Sequence, residues 1–137
     1  MKVGIDLDGT ITPYGFYNPN IKLPWPLFFL LVPIILFIKP NAQVVEKMQV
    51  LKDRGCGLII VSATPDQFLW FRKLLLKFHR VPFESLHCVS GGKGTNERKL
   101  KVIQEKGIEI FVDKDNRVLE FMRRNSVTAV KSLGEVP

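Results

Sequence analysis

The sequence predicts an α/β fold: a Rossmann-like three-layer α/β/α sandwich built on a mostly parallel sheet. Three observations lead there. Short apolar runs recur along the chain with helical stretches between them. Strands separated by helices imply parallel pairing with both sheet faces covered. The 137 residues are 46% apolar and 24% charged, the size and balance of one globular domain. That balance excludes a disordered, collagen-like or coiled-coil chain, and the length excludes a two-domain enzyme with a large lid. The expected organisation is a single domain over 1–137, with 11–40 as an apolar insert after the first strand.

The elements follow in order. Lys2–Leu7 is a short apolar run suited to a buried strand. Asn41–Arg54 reads as a helix that Asn41 can cap, with Val44, Val45, Met48 and Leu51 on one face and Gly55 and Gly57 closing it. Leu58–Ser62 is a second buried strand. Thr64, Pro65 and Asp66 supply an N-cap, a first-turn proline and a first-turn acid, which starts a helix running from Pro65 to about His79. That helix is apolar around more than one face, from Phe68 to Phe78, whereas a helix on a sheet needs one apolar stripe. The insert, another subunit or lipid is expected to cover the remainder. Leu86–Val89 is the third strand, Glu97–Lys106 a helix ended by Gly107, Ile108–Val112 the fourth strand, Asn116–Arg124 the last helix and Val127–Val130 a fifth strand.

Charge and cysteine content narrow the setting. The net charge of +7 suits an anionic partner. No basic block is interleaved with aromatics, which disfavours a single-strand nucleic-acid binder. Cys56 and Cys88 lie in apolar runs and read as buried thiols of a reducing compartment, and Met1 leads directly into a strand. The expected location is cytoplasmic, peripheral to a membrane if the insert meets lipid.

The insert contains sixteen uncharged residues, LPWPLFFLLVPIILFI, between Lys22 and Lys39. A spanning helix needs about 20 residues, and Pro24, Pro26 and Pro33 interrupt this stretch. Three readings remain for 23–38: an interfacial membrane anchor, a homo-oligomer contact, or packing on its own domain. Lys22, Lys39 and Trp25 fit the first. Tyr14, Phe16 and Tyr17 follow Thr10 closely enough to touch a substrate or simply to pack.

The chemistry concentrates in Asp6-Leu7-Asp8-Gly9-Thr10. A buried strand ends in two carboxylates one residue apart, at the carboxyl edge where open α/β sheets bind ligands. Such a pair repels itself unless a cation is near, and a hard, oxygen-liganded ion such as Mg²⁺ is the natural one. Gly9 permits a tight turn, and Thr10 offers a hydroxyl. His79, His87, Cys56 and Cys88 do not form a metal-ligand spacing.

This motif, with those after it, resembles the haloacid dehalogenase-like (HAD) superfamily of phosphohydrolases over nearly the whole chain. The resemblance implies a sheet order of 5-4-1-2-3. It implies that Asp6 is the nucleophile, forming an aspartyl-phosphate, and that Asp8 is the general acid and base. Ser62, ending the second strand, matches the hydroxyl that binds the transferred phosphoryl group. Lys99 matches the charge-neutralising lysine, with Lys93 in the Gly91-Gly92-Lys93-Gly94 loop as the alternative. Gly9, Thr10, Ser62, Ala63 and Lys93 are the expected substrate contacts. Asp6, Asp8 and Asp113 are the expected Mg²⁺ ligands. In the fourth motif, Asp113-Lys114-Asp115, a lysine stands where the family usually has its metal-binding acid, so Asp113 takes that role with Asp115 assisting.

The implied activity is Mg²⁺-dependent hydrolysis of a phosphomonoester on a small metabolite or lipid-linked phosphate. Two alternatives stand beside it. Lys114 favours a non-catalytic binding or membrane-associated module of the same fold. The net charge favours a phosphatase that processes nucleic-acid ends, although nucleic acid is otherwise disfavoured.

Overall fold

The computed structural model describes residues 1–12, 39–64 and 66–137, with the side chain of Gln67 excepted. Five strands form one all-parallel sheet: β1 (Lys2–Asp6), β2 (Gly57–Ser62), β3 (Ser85–Cys88), β4 (Ile110–Val112) and β5 (Thr128–Val130). Their order is β3-β2-β1-β4-β5, the expected order read from the other edge. Among the described residues, four α-helices connect them: α1 (Ala42–Asp53), α2 (Leu69–Phe78), α3 (Thr95–Lys106) and α4 (Asn116–Arg124).

Residue parity decides which layer each strand residue joins. Val3, Ile5, Leu58, Ile60, Ile110 and Val112 pack with Met48 and Leu51 of α1 and Leu76 of α2. Ile59, Val61 and Phe111 pack with Ile103 of α3 and with Leu119 and Met122 of α4. The sheet is therefore sandwiched, with α1 and α2 on one face and α3 and α4 on the other. The chain winds outward through β1, β2 and β3, then returns to place β4 on the far side of β1. The reversal falls between β1 and β4, the point where this topology opens a crevice.

Several boundaries move. Asn41 caps α1 as expected, accepting from the backbone N–H groups of Gln43 and Val44 at 3.0 and 3.4 Å. Thr64 Oγ1 lies 2.7 Å from Ser62 Oγ, and the chain passes through a 3₁₀ turn, Asp66–Phe68, before α2 begins at Leu69. α3 starts at Thr95, two residues before its expected start. Cys56 and Cys88 are free and half-buried, where full burial was expected. Burial raises the Cys88 thiol to about 11, so it stays protonated and unreactive.

Pro65 and the stretch 13–38, which holds Tyr14, Phe16, Tyr17 and the apolar run 23–38, lie outside the described residues. Among the described residues, no helix is long and apolar enough to cross a membrane.

Candidate active site

Asp6 closes β1 at the carboxyl edge, and the chain then turns back on itself. The N–H groups of Ile11 and Thr12 both donate to the Leu7 carbonyl at 3.0 Å, and Gly9 N–H donates to the Thr12 carbonyl at 2.9 Å. Gly9 sits at φ +82°, a conformation other residues adopt only with strain. This turn lifts Asp8 out of the strand's alternation, so Asp6 and Asp8 serve different layers.

Asp6 shares parity with Gly4 and so faces the α3 layer. Asp113 follows β4, two residues after Phe111, and faces the same way. Lys99 rises from α3 between them. Its ammonium donates to Asp6 Oδ1 at 2.9 Å and to Asp113 Oδ2 at 3.2 Å, and it lies 5.8 Å from the centre of the Phe111 ring. All three groups are buried. The other oxygen of Asp113 accepts from the Asp115 backbone N–H at 2.9 Å, which fixes the carboxylate's orientation.

One ammonium faces two buried carboxylates, and the imbalance falls on Asp6. Burial is the main cause raising Asp6 from its ordinary 3.8 to about 7; Lys99 opposes the rise, and Asp113 and Asp8 add to it. Burial alone would lower the Lys99 ammonium, but its two carboxylates outweigh that and hold it above its ordinary value. The folded chain thus keeps a proton on Asp6 that the unfolded chain releases near pH 3.8. Its stabilising contribution is full below that pH and is lost as pH rises to about 7.

Asp8 has a different partner. The guanidinium of Arg72, buried on the inner face of α2, pairs with Asp8 Oδ1 at 3.0 Å. Ser62 Oγ, at the end of β2, lies 3.5 Å from Asp8 Oδ2, and Thr12 Oγ1 lies 3.5 Å from Asp8 Oδ1. Thr10 contributes a buried hydroxyl that finds no hydrogen-bond partner among the described residues.

The structure brings Asp6, Asp8, Ser62, Lys99 and Asp113 together across strands 1, 2 and 4. It separates the two candidate lysines. Lys99 is at the centre of the cluster, whereas Lys93 is exposed and its carbonyl accepts from Arg98 at 3.0 Å. Gly91 serves packing: a Cβ there would lie 3.2 Å from the carbonyl oxygen of Ala63, so the loop closes against the end of β2, while Gly92 and Gly94 turn it at φ +91° and +82°.

The fourth motif also resolves. Asp113 is buried in the cluster and Lys114 is exposed, so the lysine's charge does not enter the site. Asp115 does not assist Asp113 as a ligand. It is exposed and caps α4, accepting from the Arg117 N–H at 2.9 Å.

The expected three-carboxylate metal set is not assembled. Among the described residues, no group of three or more His, Cys, Asp or Glu side chains could hold a metal ion, and the Asp8 carboxylate pairs with Arg72. The donor chemistry still fits a hard divalent cation at Asp6 and Asp113. Both are carboxylates converging on one point, and three carboxylates against two cations leave one negative charge in excess.

Arg72 is the site residue that the sequence reading missed. A signal existed: in Phe68-Leu69-Trp70-Phe71-Arg72 the arginine stands four residues after Phe68 and four before Leu76, on the face that packs inward.

With this geometry, the chain matches the HAD domain of the effector protein Lem4 from Legionella pneumophila at TM-score 0.58 and 15% identity, over 96% of this chain and 85% of that one. It matches a HAD-superfamily hydrolase of subfamily IA from Geobacter sulfurreducens at TM-score 0.62 and 14% identity, over 99% and 91%. The fold is HAD-like. A chain of the Pnkp1/Rnl/Hen1 RNA repair complex is similar at TM-score 0.69 and 19% identity over 95% of this HAD-like chain, which spans 42% of that longer one. No family model and no curated protein matches the sequence.

Proposed function

We propose that the chain is a Mg²⁺-dependent phosphomonoester hydrolase that works through an aspartyl-phosphate on Asp6. The observation that carries this reading is the Lys99 ammonium held between Asp6 and Asp113, at 2.9 and 3.2 Å, at the topological reversal of the sheet. Phosphoryl transfer asks mainly for positioning and charge neutralisation.

Asp6 attacks phosphorus, the ester oxygen departs with its bonding pair, and Asp8 supplies the proton that the departing oxygen takes up. Water then attacks the same phosphorus, Asp8 takes a proton from it, and Asp6 leaves as a carboxylate. Lys99 offsets the charge of the transferring group. In this reading the hydroxyls of Ser62 and Thr10 donate to its oxygens, beside Ala63 and Gly9. Mg²⁺, held by Asp6 and Asp113, would supply further charge neutralisation and lower the cost of ionising Asp6. Arg72 holds the Asp8 carboxylate toward the site.

A second reading keeps this chemistry and places the phosphate on an RNA terminus. It rests on the likeness to a chain of an RNA repair complex together with the net charge of +7.

Hydrolysis of p-nitrophenyl phosphate with and without Mg²⁺, beside Asp6→Asn, tests the proposal. The expected result is metal-dependent turnover that falls about 10⁴-fold or more in the variant. Turnover that survives in Asp6→Asn removes Asp6 from the nucleophile's place. A 3′-phosphorylated oligoribonucleotide hydrolysed far faster than a small phosphate ester selects the second reading.

A further inference from the structure

The outward half of α2 is apolar where a surface helix is ordinarily polar. Phe71, Arg72, Leu75 and Leu76 face the sheet. On the other side Trp70, Leu74 and Phe78, spaced four residues apart, form one stripe that is 49, 48 and 59% exposed. Lys73 and Lys77 run beside that stripe, and every charged residue of the helix is basic. Exposed Arg80 extends the basic character beyond its end, while the nearest acid along the chain, Asp66, lies in the turn before it.

We infer that this face docks on an anionic lipid surface. A Trp-containing apolar stripe bordered by lysines is the pattern of a helix lying in a membrane interface, where the lysine stems reach up to the headgroups. Charge selects lipid over the other occupants. A second copy would set Lys73 and Lys77 against the same lysines on a chain that is itself +7. The uncharged run 23–38 offers those lysines no counter-charge. An anionic bilayer does, since its negative surface potential attracts basic residues lying within a Debye length of it. One short helix is a weak anchor, and stable attachment takes two signals. The sequence holds a second: the uncharged run between Lys22 and Lys39.

Co-sedimentation of the full chain with phosphatidylcholine vesicles, with and without phosphatidylglycerol, tests this. Two variants accompany it, Trp70→Ser/Leu74→Ser/Phe78→Ser and Lys73→Glu/Lys77→Glu. These positions are exposed, and circular dichroism checks that the fold is kept. The expected result is binding to the anionic vesicles alone, weakened by salt and reduced about tenfold or more in both variants. Equal binding by wild type and either variant overturns the proposal, because other parts of the chain then suffice. Absence of vesicle binding, with a wild-type dimer that the serine variant dissolves, makes the face a subunit interface and overturns it as well. Absence of both also overturns it.

Discussion

Asp6 and Asp8 stand two residues apart, yet they belong to different electrostatic settings. Asp6 faces the α3 layer and shares one ammonium with Asp113. Asp8 sits beyond the strand, a quarter exposed, with a guanidinium of its own. The first setting lacks positive charge, and the second is balanced. A centre short of one positive charge is prepared to receive a cation, whereas a balanced pair can hold a carboxylate in place through a reaction cycle. The turn at Gly9 creates the difference, because strict strand alternation would have sent both acids into one layer.

The sharpest way to break the comparison is Lys99→Met. It leaves Asp6 and Asp113 buried without a cation. Loss of one partner from a buried ion pair costs about 3–5 kcal/mol. Chemical denaturation at neutral pH should show a loss of that size, smaller at pH 5, where Asp6 holds its proton. Turnover should disappear with it. An unchanged denaturation midpoint would mean that the ammonium does not carry the cluster.

Leaving-group chemistry sharpens the other half. Asp8→Asn should slow an alkyl phosphate about 10²–10⁴-fold, the usual contribution of a general acid. It should slow p-nitrophenyl phosphate much less in the first step, because that alcohol departs without a proton. Arg72→Lys should show the same ranking at smaller amplitude, with kcat affected more than KM, since Arg72 acts through Asp8. Equal losses on both substrates would place Arg72 on the substrate instead.

Legibility in the sequence followed locality. The Asp6–Thr10 motif, Ser62 at a strand end and the alternation of strands and helices are each contained in a few consecutive residues, and the sheet order follows from the resemblance they carry. Lys99 and Lys93 could not be separated on the chain alone, because the contact to Asp6 joins positions 93 residues apart. Lys114 looked disruptive only while the parity of β4 was ignored. Phe111 faces the α3 layer, so Asp113 shares that face and Lys114 does not. Arg72 was hidden by its apolar neighbours, although its helical register gave it away. The contact between the Thr64 and Ser62 hydroxyls was not announced by either residue's type. The docking face of α2 was legible as excess apolarity; its exposure and the lysines bordering it needed the fold.

The account turns on Asp6 as a carboxylate short of one positive charge. Carbon-13 NMR titration of the aspartate carboxyl carbons measures that directly and needs no substrate. In the metal-free protein, one carboxyl should titrate at about pH 7, and its signal should be missing in Asp6→Asn. Mg²⁺ should move that titration to lower pH, because a bound cation favours the ionised form. An Asp6 signal that titrates near the ordinary 3.8, or one that ignores Mg²⁺, would contradict the account.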